Sequence, residues 1–291
     1  ICENPQTFYA RVATGMARGE RELTQQLYDC MSRNWFIPGT PVLMNIGTRK
    51  GLPISCFLNT VPDTLEGIFE LYRENAFLAK YGGGIGTDWS QLRGQNAPLQ
   101  ASGLRSSGGI PFLKIMDSQT IAVSRNSIRR GAAAAYLRID HPDIEDFLEM
   151  RKPTGGDMDR KCLNLNNGVV LTDEFMHAVE ENRKYPLIDP HYKTVTKELD
   201  AVDMWRKLLK MRAETGEPYL LFIDTVNRAV PQHHQDQGLF VRQSNLCTEI
   251  VLPTNEERTA VCCLGSFNLE RCDEWKNELP EIAYACVKAL D

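Results

Sequence analysis

An α/β fold, with helices covering a parallel sheet, is predicted for this 291-residue chain by two patterns. Short apolar runs rich in alanine, valine and leucine alternate with longer segments whose apolar residues recur at helical spacing. The runs are apolar throughout, as strands buried on both faces are, and lack the polar alternation of a solvated antiparallel sheet. With 42% apolar residues there is material for a sizeable core.

Segment 5–35 reads as helical, with Phe8, Val12, Met16, Leu23, Leu27 and Met31 at roughly helical spacing. Two prolines and a glycine in "IPGTPVLMN" (37–45) break that pattern, and "PISCFLN" (53–59) reads as a short buried strand. A helix then runs from Asp63, its N-cap, with Leu65, Ile68, Phe69, Tyr72, Ala76 and Ala79 on one face and Gly82 as its stop. The glycine run "GGGIG" lacks GxGxxG spacing and follows a helix, so it reads as a tight turn rather than a dinucleotide site. "AAAAYLRID" (132–140) is a strand leading into the helix "HPDIEDFLEM", and "NGVVLT" (167–172) is a strand before a helix from Asp173. "AVDMWRKLLKMRAE" (201–214) is a helix before the strand "PYLLFID" (218–224), and "ELPEIAYACVKALD" has helical spacing at Ile282, Cys286, Ala289 and Leu290.

A net charge of −5 argues against broad nucleic-acid binding and leaves a local phosphate pocket open. No apolar run is long enough for a membrane span and no signal peptide is legible, so a cytoplasmic location is expected. The nine cysteines are dispersed without CxxC pairs, which suits neither a disulfide framework nor a zinc site. The adjacent His233 and His234 read as part of a loop, and no metal site is expected.

One cysteine stands apart, in "SNLCTEI". On an extended backbone Asn245, Cys247 and Glu249 share one face. A nearby carboxylate raises a thiol's pKa and disfavours a thiolate nucleophile, which argues against a papain-like hydrolase. The set suits a sulfur that reacts as a neutral radical, with a carboxylate as general base and an amide to orient a hydroxyl. A packed core thiol beside a turn before Pro253 is the plain alternative.

The motifs "RQSNLCTEIVLPT", "CCLGSFNL", "PGTPVLMN", "ISCFLN", "GGGIGTDWSQLRG" and "IRRGAAAAYLRIDHPDIEDFLE" together resemble the large (α) subunit of ribonucleotide reductase, in that family's order. The resemblance implies an N-terminal helical segment (1–36) and the first half of a ten-stranded α/β barrel (37–291), with the C-terminal half missing. Cys247 is then the thiyl radical that removes the 3′-hydrogen of a ribonucleotide, Glu249 takes the 3′-hydroxyl proton, and Asn245 hydrogen-bonds the ribose hydroxyls. Cys56 and Cys262 match the reducing pair that becomes a disulfide as the 2′-hydroxyl leaves as water. Cys263 is a rival to Cys262, but neighbours on a strand face opposite sides and the spacing to "SFNL" favours Cys262. Thr40 and Ser55 match positions that hold substrate phosphate and sugar, although each also suits a turn or strand end. Arg129 matches the base-contacting arginine, with Arg130 where a glycine is often found. Asp63 and Arg93 match the site of a nucleoside triphosphate effector, and the plain readings are an N-cap and a solvated surface charge.

The same resemblance implies partners. They are a ribonucleotide substrate, a chain carrying the C-terminal barrel half, a small (β) radical-generating subunit, a thioredoxin- or glutaredoxin-type reductant, and a further copy in a homo-oligomer. No cofactor bound directly by this chain is expected. "NLCTEI" looks more like the class whose radical comes from a metal-containing small subunit than like the adenosylcobalamin-dependent class. A non-catalytic nucleotide-binding half-barrel is the alternative from another functional class.

Overall fold

The computed structural model describes residues 3–49, 51–99, 103–124 and 130–291. In chain order the elements begin with α1 (Pro5–Ala17), α2 (Arg21–Ser32), β1 (Phe36–Pro38) and α3 (Thr40–Asn45). Next come β2 (Cys56–Thr60), α4 (Leu65–Lys80), β3 (Gly84–Asp88), α5 (Ile110–Ser124), β4 (Ala132–Arg138), α6 (Ile144–Glu149), β5 (Asn166–Leu171) and α7 (Asp173–Glu180). They continue with β6 (Lys184–Ile188), β7 (Val195–Asp200), α8 (Ala201–Thr215), β8 (Tyr219–Phe222), α9 (Ile223–Ala229) and α10 (Gln232–Asp236). The chain closes with β9 (Ala260–Cys262), β10 (Gly265–Phe267), α11 (Cys272–Trp275) and α12 (Leu279–Leu290).

These elements form two compact units, one of Ile1–Ser55 with Val261–Asp291, the other of Cys56–Ala260. The first is helical. Val12 and Met16 of α1, Leu27 and Met31 of α2, and Ile282, Ala285 and Ala289 of α12 share one core with Trp35 and Phe36. The helical segment expected over 5–35 is two helices, because Arg18 and Gly19 both take positive φ (48° and 97°) and end the first one. A small antiparallel pair, Phe36↔Phe267 to Pro38↔Gly265, ties the chain's two ends together.

In the second unit β8, β5, β4, β3 and β2 lie side by side in that order, all parallel. Strand alternation gives the sheet two apolar faces. Ala133, Ala135, Leu137, Val169 and Leu171 point into a core closed by α4, α5, α6, α7 and α8, through side chains such as Leu71, Met116, Phe147, Phe175 and Leu208. Ala134, Tyr136, Val170 and Leu221 point to the other face, where Val241, Leu246 and Val251 of the long loop after α10 pack against them. Five helices therefore cover one face, and α9 with the long loop covers the other.

Four local expectations change. "GGGIG" is not simply a turn. Gly82 turns with φ 79°, but Gly84–Asp88 is a fully buried strand inside the sheet. Helix α4 is capped by Thr64, whose side chain accepts the Gly67 N–H, while Asp63 is held elsewhere. The buried face of α4 is Ile68, Leu71, Tyr72, Asn75 and Ala79, with Leu65 and Phe69 exposed. His233 and His234 lie in the short helix α10 rather than a loop. No helix of the described residues is long and apolar enough to cross a membrane.

Candidate active site

The "SNLCTEI" segment is a turn rather than an extended strand. Thr248 adopts φ 67°, its N–H donates to the Asn245 carbonyl at 3.3 Å, and the Asn245 N–H donates to the Ile250 carbonyl at 3.3 Å. Alternation along a strand therefore does not bring the three groups together. The Asn245 side chain instead holds the turn from within. Its Oδ1 accepts the backbone N–H groups of Glu249 (3.1 Å) and Ile250 (3.2 Å), closing the turn as a short polar side chain commonly does. Its Nδ2 donates to the Cys56 sulfur at 3.4 Å. Asn245 is fully buried, whereas Cys247 and Glu249 at the tip are exposed.

Buried polar contacts root the turn in the sheet. Gln243 Nε2 donates to the Asn59 carbonyl at 2.9 Å, and its Oε1 accepts from Thr254 Oγ1 at 3.0 Å. Thr254 in turn meets Thr60 Oγ1 at 2.8 Å. From β4, the Tyr136 hydroxyl donates to the Asn245 carbonyl at 2.7 Å. Burial pushes the Tyr136 phenol's pKa up, and the neighbouring Cys247 and Glu249 push it the same way. Gln243, Thr254 and Tyr136 escaped the sequence reading. The sole signal was a tyrosine at an inward position of an otherwise alanine-rich run.

In the helical unit, Cys262 is buried at the end of β9, and its carbonyl accepts the Ser55 N–H at 3.0 Å. Ser55 is itself buried. The Cys263 sulfur donates to the Pro53 carbonyl at 3.3 Å and packs against the helical core, and burial raises its pKa. Its thiol is thus occupied structurally. Thr40 is exposed in the first turn of α3. Arg129 lies outside the described residues.

Asp63 and Arg93 meet directly. The Arg93 guanidinium donates to both Asp63 carboxylate oxygens (2.9 and 3.2 Å) and its backbone N–H to Oδ1 at 3.1 Å. His191 Nδ1 sits 2.9 Å from the same carboxylate. The pairing with Asp63 raises the Arg93 pKa, keeping it cationic. Both residues line a cavity of about 450 Å³ together with Leu65, Leu99, Ser106 and Phe112. An apolar wall with a fixed ion pair at one end suits a small polar ligand with a ring.

A parallel α/β sheet is crossed on its loop face by a cysteine-bearing turn, with a second thiol, Cys56, at the start of β2. Residues 54–291 match the family model for the ribonucleotide reductase barrel domain, and residues 1–51 the model for the ribonucleotide reductase all-alpha domain. The chain belongs to the ribonucleotide reductase large-subunit family. It is 43% identical over 285 residues to a Frog virus 3 protein assigned as a ribonucleoside-diphosphate reductase large subunit, covering 98% of this chain and 48% of that one. Identity to the large subunit of Invertebrate iridescent virus 3 is 36%, covering 94% and 51%. The class Id ribonucleotide reductase alpha subunit of Actinobacillus ureae superposes with TM-score 0.76 at 30% identity, covering 94% of this chain and 48% of that chain. The chain spans about half the length of these relatives.

Proposed function

We propose that this chain provides the thiyl-bearing part of a ribonucleoside-diphosphate reductase, which replaces the 2′-hydroxyl of a ribonucleotide by hydrogen. The observation that carries the reading is the Asn245 turn. It presents Cys247 and Glu249 at an exposed tip while its amide reaches Cys56.

In this reading the Cys247 thiyl abstracts the 3′-hydrogen, and Glu249, two residues on, accepts the 3′-hydroxyl proton. Asn245 Nδ2 orients the ribose hydroxyls. Cys56 and Cys262 supply two electrons as their thiols join in a disulfide, and the 2′-hydroxyl departs as water. Thr40 and Ser55 bind substrate phosphate and sugar, and Arg129 contacts the base. The Asp63 and Arg93 cavity takes the nucleotide effector, supported by its size and its fixed ion pair.

The reading assigns the remaining barrel strands to the half of the relatives' length that this chain does not span. It assigns the radical to a metal-containing small subunit, supported by the likeness to a class Id alpha subunit, with adenosylcobalamin as the alternative. A thioredoxin- or glutaredoxin-type protein restores the thiols. The test is Cys247→Ser in the assembled enzyme that contains this chain. Deoxynucleoside diphosphate formation is expected to vanish while effector binding persists, and turnover retained by Cys247→Ser would refute the reading.

A further inference from the structure

The Cys247 turn is held at a set height above the sheet by contacts that no motif identifies. Strands β3, β4 and β5 run in parallel register, with Gly86 opposite Ala134 and Tyr136 opposite Gly168. At Gly86 an added Cβ would lie 2.1 Å from the Ser244 carbonyl oxygen and 2.9 Å from the Asn245 Cα, so the loop backbone rests directly on β3. At Gly168 an added Cβ would lie 2.5 Å from the Tyr136 ring, so the missing side chain is the space the ring fills. Tyr136 is wholly buried on the loop face of the sheet.

We infer, building on the function proposed above, that Tyr136 is a positioning residue for the Cys247 turn, seated by Gly86 and Gly168. Its hydroxyl donates to the same Asn245 carbonyl that receives the Thr248 N–H closing the turn. One acceptor therefore couples the turn's own geometry to the sheet. Burial keeps the phenol protonated, so it donates throughout the working pH range. A backbone carbonyl is too weak a base to take that proton, so the contact holds the turn and moves no proton. The gain is alignment, since a displacement of about 1 Å at a reacting centre can cost roughly a hundredfold in rate.

Tyr136→Phe removes one oxygen and leaves the ring in place. In the assembled enzyme, kcat is expected to fall about ten- to hundredfold with KM for the ribonucleotide unchanged. The isotope effect on kcat with 3′-deuterated substrate is expected to rise, because hydrogen abstraction becomes slower. Loss of properly folded protein alone lowers kcat and leaves the isotope effect as it was. Amide exchange at Thr248, Glu249 and Ile250 in the same variant is expected to quicken about tenfold, a readout that does not depend on the reaction. Unchanged exchange overturns the positioning role. Quickened exchange with an unchanged kcat, or with a lower kcat and an unchanged isotope effect, overturns its catalytic importance. An unsubstituted enzyme that fails to reduce ribonucleotides overturns the functional reading, and the exchange data still decide the structural claim.

Discussion

Replacing Asn245 separates the two tasks its side chain performs. Asn245→Ala deletes the oxygen that accepts the Glu249 and Ile250 N–H groups and the nitrogen that reaches Cys56. At about 1 kcal/mol net for each backbone bond, the loss is about 2 kcal/mol, moderated because water can reach part of this turn. For a cooperative unit the size of Cys56–Ala260, that lowers the melting midpoint by roughly 4–8 °C. Asn245→Asp keeps an oxygen for both amides and turns a second oxygen towards the Cys56 thiol, which can donate to it. An ionised Asp at this fully buried position also carries a desolvation penalty, so we expect Asp to recover stability over Ala only at acid pH, where the carboxyl is protonated. Neither variant retains the amide donor, so turnover in the assembled enzyme should fall about a hundredfold or more in both. Thermal melting followed by circular dichroism, paired with a product assay, checks this. A normal midpoint for Asn245→Ala, or an Asp variant no more stable than Ala at acid pH, would refute the argument that the carboxamide oxygen builds the turn.

Other outcomes follow from single contacts. Gly86→Ala places a carbon 2.1 Å from the Ser244 oxygen and should cost about 1–3 kcal/mol in urea unfolding, whereas Gly109→Ala, whose nearest contact is 3.8 Å, should stay within about 0.5 kcal/mol. Asp63→Asn removes the charge that holds Arg93 and His191, so calorimetry should show nucleotide effector affinity about tenfold weaker with effector-free turnover retained. Burial raises the Cys162 thiol pKa from 9.0 to about 12, so iodoacetamide at pH 8 should label exposed Cys247 well before Cys162. Because that folded pKa lies above the unfolded one, folding favours the protonated thiol. Its contribution to stability is complete below pH 9 and declines as pH rises from 9 towards 12, which pH-dependent urea midpoints of Cys162→Ala against the parent protein would reveal.

Most strands were legible because burial on two faces left continuous apolar runs, as in Ala132–Arg138 and Asn166–Leu171. β3 was hidden because the feature that fits it to its site, glycine in place of apolar side chains, also erases the strand signal. The hairpin of β6 and β7 was missed because Val195–Asp200 is largely exposed and charged. At the start of α4, Asp63 and Thr64 are both good caps by type. The choice fell to a partner thirty residues away, Arg93, that no local rule could weigh. The geometry of the cysteine triplet was not legible, because alternation presumes extended backbone and Thr248 leaves that region. Alternation said only that one of Cys262 and Cys263 can face the substrate, and the preference for Cys262 rested on the spacing to "SFNL"; in the structure the Cys263 sulfur is bonded to the Pro53 carbonyl.

The central claim is that this chain's cysteines carry out nucleotide reduction, and a single turnover without external reductant tests it most directly. The assembled enzyme would be mixed with one equivalent of ribonucleoside diphosphate, quenched, alkylated and digested for peptide mass spectrometry. The account predicts one disulfide joining the Cys56 and Cys262 peptides for each deoxynucleotide formed, with Cys263 alkylated and no product from Cys247→Ser. Product formed while Cys56 and Cys262 both remain alkylatable, or a disulfide through Cys263 instead, would contradict it.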